Sequence, residues 1–197
     1  MIVGITGGIG TGKSFVASYI KEKGYPIVSS DEISSVLMKK GNQNYLNIVD
    51  AFGKAVLLSN GEINRKKLGQ LIFSNKEDRA LLNKITHPNI IEELKKQGTA
   101  HKLVFLEIPL LFEANLEYMV DEIWVVACSE DIQINRIVKR DEITQKEALL
   151  KIRSQYPLAE KKKKAHFIIN TNESKKNIYK EIDQLINRLE KKNKWIL

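Results

Sequence analysis

Ile2-Val3-Gly4-Ile5-Thr6-Gly7-Gly8-Ile9-Gly10-Thr11-Gly12-Lys13-Ser14 opens the chain. Ile2–Thr6 is a β-type apolar run, Gly7–Ser14 fits the pattern G-x-x-x-x-G-K-[ST] at every fixed position, and Phe15–Lys23 has the character of a helix. Four glycines let the backbone curl with its N–H groups turned inward, and the helix N-terminus behind them adds a partial positive charge. Polyphosphate anions bind such a nest with little help from side chains. Lys13 can reach the β- and γ-phosphates as a mobile point charge, and the Ser14 hydroxyl can ligate the Mg²⁺ that accompanies a nucleoside triphosphate. A glycine-rich turn that merely joins strand to helix is the alternative; the agreement of strand, loop and helix favours the phosphate cradle.

Outward from this motif, apolar β-type runs alternate with helical stretches. Pro26–Ser29, Leu103–Ile108, Ile123–Cys128 and Phe167–Asn170 read as further strands, mostly continuous in hydrophobicity, as expected of a sheet covered on both faces. The alternation predicts an α/β fold with a five-stranded parallel sheet, right-handed crossovers and a ligand crevice at the carboxyl ends of the strands. Between the second and third strands lie about seventy residues without a strand, an excursion too long for a simple loop. They read as helices over Glu32–Lys40, Tyr45–Phe52, Arg65–Phe73, Lys76–Ile85 and Asn89–Gln97, forming an inserted helical subdomain of the kind that grips a second substrate.

Composition is consistent with an enzyme of this type. A chain of 197 residues at 43% hydrophobic can bury a full core as one domain. The single Cys128 excludes an intramolecular disulfide and offers no cysteine cluster for zinc. Met1 leads straight into the first strand, and no span of about eighteen apolar residues occurs, which predicts a soluble, unsecreted, cytoplasmic protein. The formal charge of +8, from 32 Lys plus Arg against 24 Asp plus Glu, invites a nucleic-acid reading. Much of the excess sits in Lys161–Lys164 and in Lys191-Lys192-Asn193-Lys194, without the interleaved aromatics of a base-stacking surface. Both runs read as solvated helix faces, and no nucleic-acid or membrane partner is expected.

Three further positions could carry chemistry. Asp31 follows the second strand directly, so it should emerge at the strand-end crevice, where it could accept the proton of an acceptor hydroxyl; it could instead cap the helix that starts at Glu32. Glu107, at the end of the third strand, is the best placed acid for orienting the waters of Mg²⁺. Arg136 and Arg140 stand four apart on one helical face, beside a charged segment that runs to Arg153. They read as a lid that neutralises charge on a phosphoryl group in flight, or as a surface salt-bridge ladder with Glu130 and Glu142.

Thr6–Ser14, Asp31, His87-Pro88, Ile108-Pro109-Leu110-Leu111-Phe112-Glu113, Arg140-Asp141 and the Gln155–Lys161 stretch together resemble the dephospho-coenzyme A kinase family, in order and over nearly the whole chain. The resemblance implies a three-layer P-loop kinase fold with a nucleotide-binding core over 1–30 and 100–197, a helical acceptor-binding subdomain over 31–99 and a lid over 139–157. It implies transfer of the γ-phosphoryl of ATP, with Mg²⁺, to the 3′-hydroxyl of the ribose in dephospho-coenzyme A, by a monomer or weak homo-oligomer. On this reading Gly8, Ile9, Gly10, Thr11, Gly12, Lys13 and Ser14 hold the ATP phosphates, and Ser14 is the metal ligand. Asp31 is the base, Lys13 and Arg140 stabilise the transferring group, and Arg65, His87, Pro88, Pro109 and Leu111 line the acceptor site together with Asp31.

This sequence departs from the family's pattern in three places. The first acid of a common Asp-x-Asp is Ser29 here, a lid arginine four residues before Gln155 is Lys151, and Ala165-His166-Phe167-Ile168-Ile169-Asn170-Thr171 replaces the usual stretch near the adenine. Lys151 carries the charge without the bidentate fork of arginine. Two other functions share parts of the pattern. Another small-molecule or nucleoside monophosphate kinase would keep loop and lid, and a nucleotide-dependent switch or nucleic-acid-binding NTPase would hydrolyse without an acceptor.

Overall fold

The computed structural model describes residues 1–193. The predicted strands form a five-stranded parallel sheet: β1 (Ile2–Gly7), β2 (Ile27–Ser29), β3 (Val104–Glu107), β4 (Glu122–Ala127) and β5 (Phe167–Asn170), in the order β2-β3-β1-β4-β5. β1 is central, with Ile5 beside Glu107 on one side and beside Trp124 on the other. That register brings the ends of β1 and β3 together, so the phosphate loop and Glu107 leave the sheet as neighbours.

The chain divides into two compact units, Met1–Val28 with Gly98–Leu197, and Ser29–Gln97. In the first, α1 (Lys13–Glu22) and the C-terminal helix Lys175–Asn193 cover one face of the sheet. Val3, Ile5, Phe105, Trp124 and Val126 alternate along their strands to meet Val16, Ile20, Ile182 and Leu189, all nine fully buried, with Phe15 partly buried at the margin. Alternate residues of one strand share a face, so a single run of apolar side chains supplies both layers.

In the second unit, α2 (Ser30–Leu37), α3 (Gln43–Phe52), α4 (Arg65–Ser74) and α5 (Lys76–Gly98) pack around Ile48, Val56, Ile63 and Leu68. Two helices were expected where α5 runs without a break, because His87-Pro88 reads as a helix boundary. Proline removes one N–H donor and crowds the turn before it, so the carbonyl of Lys84 loses its helical donor. Side chains of α3 meet the carbonyls beside this defect: Asn47 Nδ2 donates to Ile85 O at 2.9 Å and the fully buried Asn44 Nδ2 to Thr86 O at 3.3 Å. Asn89 Nδ2 in turn donates to Asn44 Oδ1 at 2.7 Å.

Beyond β4 the first unit continues with α6 (Glu130–Asp141), α7 (Gln145–Arg153), α8 (Leu158–Lys163), β5 and the C-terminal helix, α9. Among the described residues no helix is long and apolar enough to cross a membrane.

Candidate active site

The loop after β1 has the backbone that its glycines predict. Gly10 (φ 76) and Gly12 (φ 94) occupy conformations that L side chains rarely adopt, and a Cβ on Gly10 would press on Ile137 and the Gln133 carbonyl of α6. Gly12 is also the residue preceding α1, so the helix begins at Lys13 directly behind the curled loop. Thr11 is fully buried, with Oγ1 donating to Gly8 O at 2.8 Å, and this closes the loop on itself. Lys13 Nζ reaches back over it to Gly8 O at 2.7 Å and Gly7 O at 3.4 Å.

Ser14 Oγ donates to Glu107 Oε1 at 3.2 Å, so the hydroxyl and the carboxylate read from the sequence stand together. This pair fits a divalent cation of the Mg²⁺ type: both are hard oxygen ligands at the end of a phosphate nest, and Mg²⁺ takes few protein ligands beside phosphates and water. Among the described residues no group of three or more His, Cys, Asp or Glu side chains is placed to hold a metal by itself.

Helix α6 lies along the back of the loop. Arg136 was expected beside Arg140 in a lid, but its guanidinium is bound to the loop itself, donating to Gly10 O at 3.3 Å and Thr11 O at 3.2 Å. It also donates to Thr171 Oγ1 and Thr171 O, both at 3.0 Å, and Thr171 Oγ1 donates to Thr11 O at 2.6 Å. Arg140 donates to Asp141 through Nε at 2.6 Å and Nη2 at 3.1 Å, and Lys151 Nζ joins the same carboxylate at 2.7 Å. This cluster takes the place of the alternative ladder with Glu130 and Glu142. The two cations hold the Asp141 carboxyl far below the usual range, Arg140's hydrogen bonds being the larger cause. Gly10, Gly12, Lys13, Ser14, Phe15, Arg136 and Arg140 line an open cleft of about 260 Å³.

Pro109 and Leu111 follow β3. The Pro109 carbonyl accepts from Thr6 Oγ1 at 3.2 Å, and Leu111 is fully buried, whereas Leu110 is the exposed member of the run.

In the helical unit, Asp31 is exposed in the first turn of α2. It is not the cap: Ser29 holds the N-cap position with extended backbone, and its Oγ accepts from Glu32 N at 3.4 Å. Arg65, the first residue of α4, donates from Nη2 to Ser35 Oγ at 2.8 Å. Ser35 lies four residues beyond Asp31, so Arg65 is held against the helix face that Asp31 shares. His87 and Pro88 lie inside α5, and burial pushes the His87 imidazole below its ordinary value of 6.5.

The dephospho-CoA kinase (CoaE) family profile matches residues 1–177. The chain belongs to the dephospho-CoA kinase family. A dephospho-CoA kinase of Listeria monocytogenes serovar 1/2a is 41% identical over 194 residues, covering 96% of this chain and 97% of that one. Among solved structures, TT1252 of Thermus thermophilus superposes with a TM-score of 0.84 at 28% identity, covering 96% of this chain and 97% of its own. The Campylobacter jejuni dephospho-CoA kinase gives a TM-score of 0.70 at 30% identity over 98% of each chain.

For a dephospho-CoA kinase family member, the sequence reading left out several residues that shape the loop. Gln155 Oε1 accepts from Ile9 N at 2.8 Å, and Gln133 Nε2 donates to Ile9 O at 2.7 Å, so both polar groups of Ile9 are held by distant glutamines, one in the turn between α7 and α8 and one in α6. Lys161 corrects the reading of Lys161–Lys164 as a solvated face. It is fully buried, with Nζ 2.8 Å from Glu113 Oε1, while Lys162, Lys163 and Lys164 are exposed. The available signal was helical periodicity: in Leu158–Lys163 only one position of the run can point inward at a time.

Proposed function

We infer that this protein transfers the γ-phosphoryl group of ATP to dephospho-coenzyme A, giving coenzyme A and ADP, and that the acceptor atom is the 3′-hydroxyl oxygen of its ribose. The observation that carries the reading is a family match over residues 1–177 in a chain whose Gly7–Ser14 segment has the backbone of a phosphate nest. In-line transfer through a loose transition state asks mainly for positioning and for neutralisation of the equatorial oxygens.

The residues divide that work. The backbone N–H groups of Gly8–Ser14 and the α1 N-terminus receive the phosphates. Lys13 moves from the loop carbonyls to the β- and γ-oxygens, exchanging neutral acceptors for charged ones. Ser14 and Glu107 would hold Mg²⁺, which supplies charge neutralisation on the phosphate oxygens when bound. Arg140 turns from Asp141 to the transferring group as residues 139–157 close. Asp31 takes the proton of the acceptor hydroxyl, and Arg65, His87 and Pro88 of residues 31–99 bind the acceptor; Leu111, read from the sequence as an acceptor residue, is fully buried and serves the core instead. Gly10–Phe15 with Arg136 bound the nucleotide end of the site.

Incubation with γ-labelled ATP, Mg²⁺ and a panel of hydroxyl compounds tests this directly. The expected product is labelled coenzyme A with phosphate on the ribose 3′-oxygen, and chelation of Mg²⁺ abolishes it. Label on a nucleoside monophosphate or a sugar in preference to dephospho-coenzyme A, or release of free phosphate alone, would overturn the assignment.

A further inference from the structure

Among the described residues Lys161 is the one fully buried lysine, and its ammonium reaches two separate segments, the start of the phosphate loop and the stretch after β3. Besides Glu113, whose two oxygens lie 2.8 and 3.1 Å away, Nζ donates to Pro109 O at 3.2 Å and approaches Gly7 O at 3.5 Å. An ammonium has three N–H donors, and three acceptor groups surround it. The Gly7 carbonyl is the first of the phosphate loop, and Lys13 Nζ lies 3.4 Å from the same oxygen. Glu113 also accepts from Tyr156 N at 2.9 Å, next to Gln155, whose side chain holds the Ile9 amide.

These contacts form one connected path: Ile9 to Gln155, Tyr156 to Glu113, Glu113 to Lys161, and Lys161 back to Gly7. We propose that Lys161 is a positioning residue for phosphoryl transfer, fixing the Gly7 carbonyl at the root of the phosphate loop and, through Glu113, the Gln155–Pro157 turn that holds the loop's other side. The inference rests on the kinase reading above. A buried ammonium is costly unless every donor is met, and an ion pair with a single partner could be replaced by apolar side chains with little loss. The additional backbone acceptors give this cation a geometric task that an apolar replacement of the pair cannot perform.

The double variant Lys161→Met/Glu113→Gln separates that task from bulk stability. It removes both charges together, keeps similar volumes, and leaves a side-chain oxygen for Tyr156 N. Under the proposal the variant folds with an unfolding midpoint near that of wild type, yet kcat/KM for ATP falls about tenfold to a hundredfold, the scale of a small displacement of reacting groups. A rise confined to KM for dephospho-coenzyme A, through the Pro109 carbonyl, with kcat/KM for ATP unchanged would overturn the proposal. Wild-type kinetics in the folded double variant overturn the proposal, since a purely structural pair would alter stability alone. Should the double variant not fold, Lys161→Arg decides in its place: it retains cation and ion pair, but its planar fork cannot set one nitrogen against three acceptors. The same loss for ATP is expected, and unchanged kinetics overturn the proposal. Wild-type protein in the same assay keeps the two readings apart. No transfer from wild type to dephospho-coenzyme A refutes the kinase assignment, whereas active wild type with unaltered variants refutes only the role of Lys161.

Discussion

Asp31 and Ser29 stand two residues apart and do different things, and their substitutions should separate cleanly. Ser29 supplies the capping oxygen of α2, so Ser29→Ala should cost about 1 kcal/mol of stability in urea unfolding. Asp31, exposed in the first turn, contributes to the helix only through the dipole; Asp31→Asn should cost less than about 1 kcal/mol and leave the fold intact. Its effect on rate is predicted to be on the order of a hundredfold or more, the scale on which general bases act. Steady-state transfer to dephospho-coenzyme A measures it, and full activity in Asp31→Asn would remove the residue from the mechanism. The position of Asp31 after β2 was legible because a strand end and a carboxylate are adjacent in the chain. The task of Ser29 became clear only with the structure, since capping depends on where the helix starts. Lys161, Gln155 and Arg136 act on the loop from far along the chain, Lys161 from 154 residues away, and no local pattern encodes such a meeting.

At the scale of elements, the strands were readable because sheets covered on both faces demand apolar runs, and each of the five lies within a residue or two of its predicted span. The helical insertion was readable in outline, but its longest helix was not. Pro88 carries a strong local signal for a break, yet α5 continues through it, and Asn44 and Asn47 of α3 bond the neighbouring carbonyls of Thr86 and Ile85. These bonds make a specific prediction. Asn44 is fully buried and bonded to both Thr86 O and Asn89 Nδ2, so Asn44→Ala removes both bonds and takes from the part-buried Asn89 amide its acceptor on α3. A loss of about 1–3 kcal/mol is expected in urea unfolding. An unchanged urea midpoint would show that these side-chain amides contribute nothing to the packing of α3 on α5.

For the molecule as a whole, the charge of +8 is partly drawn inward. Lys161 is buried on Glu113, and Arg188 and Lys192 converge on Glu122, a carboxylate only 4% exposed at the start of β4. Lys194 lies outside the described residues, so the basic tail is described through Lys192. These pairings give stability a defined dependence on pH. Burial pushes the Glu122 carboxyl up, but hydrogen bonds from Arg188 and Lys192 outweigh it and leave the group below its ordinary value. Asp141 is depressed by Arg140 and Lys151, and Glu147 by the Thr144 cap of α7; Glu181, raised by burial, works in the opposite sense. Where the folded value is depressed, the unfolded chain binds protons first as pH falls, so these carboxylates stabilise fully above their unfolded values near 4 and lose that contribution as pH drops through the folded ones. His87 follows the same sign at a higher range: burial depresses its folded value, its contribution is complete above 6.5, and it is lost as pH falls below that point. Urea midpoints should therefore be level from about pH 8 to 7, decline in a first step below 6.5, and fall more steeply below about 4.5. His87→Gln should abolish the first step and preserve the second. A first step that survives this substitution would assign it to another group.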